Sequence, residues 1–278
     1  MDLLKPVCCM AEAFDLMVST ARTIDGPDSL VRGSMAIAMQ GLGSADVEGA
    51  DRVLQHYADT VRARSRTRQP QSLLAHLHEL LFEEEGFGGN DQDYYDVRNS
   101  FLPEVLRTRR GLPITLAVIY RDVARRAGIC CWGVNIPGHF VVAVQDSRAA
   151  MLIDVFGGGR VIEPLEAQAR FHQTFGEHVA WTDEFLRPAS HRAWLTRMLQ
   201  NLLHSYSSAN RYMDMAAVLE MEMVLWPDET RLQRDLALVL ARCGLSQPAR
   251  MWLEGYLKDN PNDPQDKDLR RLLAVLTV

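Results

Sequence analysis

The chain has 278 residues, 47% of them hydrophobic and 24% charged, enough for one large core or two modest ones and ordinary for a globular protein. Its net charge of −6 argues against bulk attraction to nucleic acid or to an anionic membrane, and no apolar run reaches the 18 residues a spanning helix needs. The five cysteines, in two adjacent pairs (Cys8-Cys9 and Cys130-Cys131) with Cys243 alone, lack CxxC or metal spacing, so we read a reduced, cytoplasmic thiol set with no resident metal or cofactor.

Residues 11–85 read as helices separated by polar breaks. Phe14, Leu16, Met17 and Ala21 give a first apolar face that ends near Gly26-Pro27. Asp28 is placed to cap a second helix through Met39, and Asp46 a third through Ala63, with Val53, Leu54 and Tyr57 facing inward. Arg62, Arg64, Arg66 and Arg68 alternate through an inter-helix loop, and Ser72 starts a fourth helix carrying Leu73, Leu74, Leu77, Leu80 and Leu81. The acidic stretch 91–96 fails as a calcium loop, because Asp96 stands where such a loop needs glycine and Leu102 where it needs glutamate.

Residues 111–159 form the unit around which the rest is organised. Pro113 suits a first helical turn, Leu116, Ile119, Tyr120, Val123, Ala124 and Ala127 recur with a 3.6-residue period, and Gly128 is a left-handed cap behind Arg125 and Arg126, which face the negative end of the helix dipole. Extended runs follow at 129–136, 139–144 and 151–156, joined by a Pro137-Gly138 turn and a polar break at 145–148. A hairpin symmetric about Asp146-Ser147 pairs residues whose numbers sum to 293, so His139 faces Asp154 on the same side of the sheet. Gly157-Gly158-Gly159 is a tight turn rather than a phosphate loop, since no Lys-Ser/Thr follows. Residues 163–176 read as a polar helix leading away from the core. Thr182-Asp183 and Pro188 then mark a linker between 1–187 and 188–278.

The last region carries a repeat. Trp226-Pro227-Asp228-Glu229 and Asn260-Pro261-Asn262-Asp263 lie 34 residues apart, the tetratricopeptide period, with Tyr206, Gly244 and Ala249 at repeat positions and a capping helix at 267–276. Two repeats make a short array, so it is expected to pack on the first domain. Trp194, Arg197, Met198 and Asn201 open the region, Asn201 as a polar contact on a concave face.

The order of apolar helix, strand, His-led strand and Asp-bearing strand resembles the transglutaminase-like (papain-related) superfamily. Gly86-Phe87-Gly88-Gly89-Asn90, Asp93-Tyr94-Tyr95-Asp96, Asn99-Ser100, Arg110-Gly111-Leu112-Pro113-Ile114-Thr115-Leu116, Pro137-Gly138-His139-Phe140 and Asp154-Val155-Phe156-Gly157-Gly158 resemble the SirB-type bacterial family. That resemblance implies an α+β, mostly helical fold: a papain/transglutaminase-like core with a small antiparallel sheet, followed by α-helical tetratricopeptide repeats. It also implies a cysteine-histidine-aspartate triad, of which His139 and Asp154 remain while Pro113 occupies the cysteine position, and a cleft lined by Tyr94, Tyr95, Asn99 and Gly138. A His-Asp pair without a nucleophile does no covalent acyl transfer. The expected function is therefore a non-catalytic cleft for a peptide or protein partner. The alternative is an amide hydrolase or transferase with Thr115, Cys130 or Cys131 as relocated nucleophile.

Overall fold

The computed structural model describes residues 5–67, 69–145 and 150–276. Four helices come first: α1 (Ala11–Arg22), α2 (Ser29–Leu42), α3 (Val47–Arg64) and α4 (Pro70–His78), the last continuing as a wider π-type turn over Glu79–Glu84. Asp46 caps α3 by accepting the Gly49 N–H at 2.7 Å. Asp28 does not cap α2, because its carboxylate is drawn to Arg125 instead, at 2.9 Å. The fourth helix starts at Pro70, whose missing N–H suits that position, while Ser72 bonds Ser65. Leu54 and Tyr57 are buried, but Val53 is exposed. Arg62 and Arg64 belong to α3 rather than to a loop, with Arg64 bridging to Glu84 at 2.5 Å, and Arg68 lies outside the described residues.

A short parallel pair, β1 (Gly88–Gly89) and β2 (Arg110–Gly111), flanks α5 (Leu102–Thr108) and leads into the central α6 (Pro113–Ala127). Gly128, at φ 95°, and the Ile129 N–H bonded to the Ala124 carbonyl at 2.8 Å close α6 in the left-handed manner. Arg125 and Arg126 do more than face the dipole. They hold the wholly buried Asp122 at 2.9 and 2.6 Å, satisfying a carboxylate that alone would be costly inside.

Behind α6 lies an antiparallel sheet in the order β3 (Cys131–Ile136), β4 (His139–Gln145), β5 (Ala150–Asp154) and β6 (Arg160–Ile162). The β4–β5 register, Val142↔Ile153 to Gln145↔Ala150, sums to 295 rather than 293, so His139 is not directly opposite Asp154. The Asp146-Ser147 turn lies outside the described residues. A slip of two preserves the facing of every side chain, because the side-chain period is two. Phe140, Val142, Val144 and Ile153 pack with α6 in the main core, whereas Val141, Ala143 and Leu152 pack with Val134, Ile136 and Ala167 on the other face. That second face is covered by α7 (Pro164–Phe175). This helix does not lead away from the core, since Ala167 anchors it on the sheet and the buried Phe171 packs against Trp181 and Phe185.

Helices α8 (His191–Ser208), α9 (Tyr212–Leu225), α10 (Thr230–Arg242), α11 (Ser246–Asp259) and α12 (Asp266–Val275) complete the chain. The bounds of α9 and α11 differ by 34 at each end, from 212 to 246 and from 225 to 259. Trp194 of α8 is wholly buried against Phe140, and its indole N–H donates to the Ile114 carbonyl at 3.3 Å. The main core therefore joins α1 to α6 with the inner face of the sheet, α8 and α9, and a second cluster joins α9 to α12. Glu220 of α9 binds the start of the chain, accepting the Val7, Cys8 and Cys9 backbone N–H groups at 2.6, 3.0 and 2.7 Å. No helix among the described residues is long and apolar enough to cross a membrane.

Candidate functional site

His139 begins β4 just after Gly138, whose φ of 77° is a conformation that glycine adopts without strain. The odd-numbered positions of β4 face α7, and so does Asp154 at the end of β5, which brings both side chains under that helix. Their closest approach, His139 Nε2 to Asp154 Oδ1, is 3.7 Å, too long for a hydrogen bond. Arg170 of α7 stands between them. Its Nη1 donates to Asp154 Oδ2 at 2.8 Å and to His139 Nε2 at 3.2 Å, while Nη2 donates to Glu166 at 2.9 Å. The Gly157 N–H adds a bond to Asp154 Oδ1 at 3.1 Å, and Arg160 completes the chain of charges by pairing with Glu166.

A guanidinium only donates, so His139 Nε2 accepts and the neutral ring carries its proton on Nδ1. Burial holds His139 below the usual histidine range; Asp154 opposes this, and Arg170 and Arg197 reinforce it. The histidine sits in a cavity of about 330 Å³ lined with Pro137, Gly138, Arg170, Phe171 and Thr174. Arg197 of α8 braces the turn from behind through Asn135 Oδ1 and the carbonyls of Ile136 and His139, the latter two at 2.9 and 3.4 Å.

The other sequence candidates are dispersed. Pro113 and Thr115 open α6, which packs on the opposite face of the sheet from Arg170. The Thr115 hydroxyl is sealed off and has no hydrogen-bond partner among the described residues, so none of them stands beside it as a base. Cys131 pairs with Val144 at the far end of the hairpin from the Ile136↔His139 pair, five residues or roughly 16 Å along the strand. Its thiol donates to the Arg121 carbonyl at 3.6 Å, and burial pushes it up to about 12. Cys130 is exposed. Asn99 is buried and spends its amide on the carbonyls of Asp93 and Tyr94, at 2.7 and 3.2 Å, so it braces the loop instead of lining a cleft. Tyr94 packs edge-on against Phe156, within electrostatic reach of Arg197, whereas Tyr95 points outward and borders a separate cavity with His204 and Arg211.

Arg170 was not visible in the sequence as a site residue. Its spacing of four from Glu166 is that of an ordinary surface ion pair, and only the approach of α7 to the strand ends turns it inward.

The described residues thus form an α+β domain in which a buried helix backs an antiparallel sheet, with a histidine leading one strand and an aspartate ending the next. Residues 48–200 match the transglutaminase-like superfamily, to which the chain belongs. It is 33% identical to a UPF0162 protein of Xylella fastidiosa (strain 9a5c) over 88% of each chain. A UPF0162 protein of Pseudomonas aeruginosa is 28% identical over 72% of each chain. Human F-box only protein 21 is 28% identical over 56% of this chain and 26% of its own length. No solved structure matches.

Proposed function

We propose that the chain is a non-catalytic transglutaminase-like protein whose His139-Asp154 cleft binds a peptide or protein partner, with residues 188–278 acting as tetratricopeptide-type repeats beside the domain formed by 1–187. The observation that carries this reading is the position of Arg170. A catalytic histidine needs an acceptor to orient it and stabilise its imidazolium; here the nitrogen nearest Asp154 accepts from a cation, and two guanidiniums disfavour protonation. The residue at the helix N-terminus is Pro113, and neither Thr115 nor Cys131 reaches the ring. What remains is a cleft with fixed donors and a hydrogen-bonding imidazole edge, suited to the amide groups of an extended chain.

The test has two arms. Limiting iodoacetamide near pH 7 should label Cys130 slowly and identically in wild type and His139→Ala; rapid labelling of one thiol that vanishes in the variant overturns the reading. On an array of random seven-residue peptides, His139→Ala and Arg170→Ala should each weaken retention about tenfold, roughly one charge-assisted hydrogen bond. Retention that is absent, or indifferent to both changes, removes the cleft as a binding site.

A further inference from the structure

A second cavity, of about 750 Å³, opens on the other side of Pro137-Gly138, between that turn and helices α8, α9 and α10. Its volume is within the range of sites that enclose small ligands. Most charges on its wall are already paired. Arg231 holds Glu229 through two bonds of 2.9 Å, and Arg234 holds Asp235 at 2.9 Å. Two are not. Arg197 makes no ion pair among the described residues; its bonds all leave from Nη1 toward Asn135 and two carbonyls, and Nε and Nη2 have no partner among the described residues. Arg197 is half-buried, and burial lowers its pKa with no carboxylate among the described residues beside it to offset the cost. Glu222 is the mirror case. It is 5% exposed, bonded at 3.2 Å to the neutral amide of Gln200, and the charge it feels is another carboxylate, Asp235.

Arg197 and Gln200 are one helical turn apart on α8, so the side chain that carries the unpaired cation and the one that holds the carboxylate leave the helix roughly 5–6 Å apart at Cβ. They line the same cavity without meeting. A ligand with one net charge would relieve one of them and leave the other desolvated. A zwitterion with its charges several ångströms apart relieves both, and a tripeptide, about 10 Å when extended, spans the distance.

We propose that this cavity binds a short peptide by its two ends, the terminal carboxylate at Arg197 and the terminal ammonium at Glu222. The inference rests on the peptide-binding reading above and gives it a ligand class: free, zwitterionic oligopeptides, with the adjoining turn at Gly138 linking this cavity to the His139 cleft.

The experiment is isothermal calorimetry on the full chain with trialanine, N-acetyl-trialanine and trialanine amide. Trialanine should bind at least about tenfold more tightly than either capped form, as expected for losing one buried charge-assisted contact. Glu222→Gln should abolish the penalty for N-acetylation while keeping that for C-terminal amidation. Arg197→Lys should weaken trialanine about fivefold or more and leave the amide unaffected. Because Arg197 also braces the turn, the capped peptides on the wild-type chain test the proposal without a substitution. Equal affinity for all three peptides, or no binding up to about 20 mM, overturns it. Array peptides that bind while trialanine shows no preference for free ends would refute the end-on site and leave the cleft reading standing; failure of both sets removes both.

Discussion

Asp154→Asn should destabilise the protein by about 3 kcal/mol, although it is nearly isosteric. The carboxylate is almost wholly buried and accepts two hydrogen bonds, from Arg170 at 2.8 Å and from the Gly157 N–H at 3.1 Å. An asparagine has one acceptor oxygen and turns an NH₂ toward the second donor, so one bond is lost and a donor–donor contact replaces it. Bonds to charged partners contribute about 1.5–3 kcal/mol each, and the orphaned donor adds about 1–3. Arg170 is 33% exposed, so the lower part of that range applies. Urea unfolding followed by circular dichroism gives the total, and double-mutant cycles apportion it. The coupling of Asp154 to Arg170 should be about 1.5 kcal/mol, and that of Asp154 to His139 below about 0.5. Coupling to His139 equal to or larger than that to Arg170 would refute the assignment of Arg170 as the aspartate's partner. In the same variant the His139 pKa, read by NMR, should fall, because Asp154 raises it.

Thr115→Val removes a buried hydroxyl that has no partner among the described residues and should stabilise by about 1 kcal/mol in urea melts; a loss of stability would mean the hydroxyl is bonded. Gly159→Ala should cost more than about 2 kcal/mol, since φ is 80° and the new methyl would lie 2.2 Å from the Phe82 ring, whereas Gly158→Ala, at φ 72° with open space, should cost only about 1; equal losses would refute the packing term. Burial holds His78, His139 and His191 below the usual histidine range. The unfolded chain therefore takes up protons near pH 6.5 before the folded one does, so stability is full above that pH and falls below it, by up to about 4 kcal/mol per pH unit for the three together. Urea midpoints between pH 7.5 and 5.5 should decline, and His78→Gln should flatten the slope; a slope indifferent to that change would deny the histidine a share.

Helix α6 was legible because several local signals agree on it: proline at the start, the apolar period, and glycine at the left-handed end. The β4–β5 register was not, because a hairpin's loop length is set by turn geometry rather than by alternation; the parity of the strands, which alternation does encode, kept His139 and Asp154 on one face. Asp28 and Asp46 look alike as caps in the sequence, yet only Asp46 caps, since the competing Arg125 arrives from α6, almost a hundred positions later. Asn99 shows a similar competition: beside two tyrosines its amide suggests a ligand contact, while in the structure the loop's own carbonyls take its donors. The charge on Arg197 is plain in the sequence; its isolation from the carboxylates of the described residues emerges only when α8 is laid against the sheet.

The carboxylate of Glu220 that gathers the backbone of residues 7–9 bears on how the chain is made. The bonded groups are as much as 213 positions apart, so the segment around residues 7–9 waits for a partner synthesised that much later. At about 5–20 residues per second the wait is roughly 10 to 40 s, during which α1 has no α9 to cover it. α2 follows at once and packs on α1, but the side of α1 that meets α9 stays uncovered for that interval, a window in which a nascent-chain chaperone has something to hold.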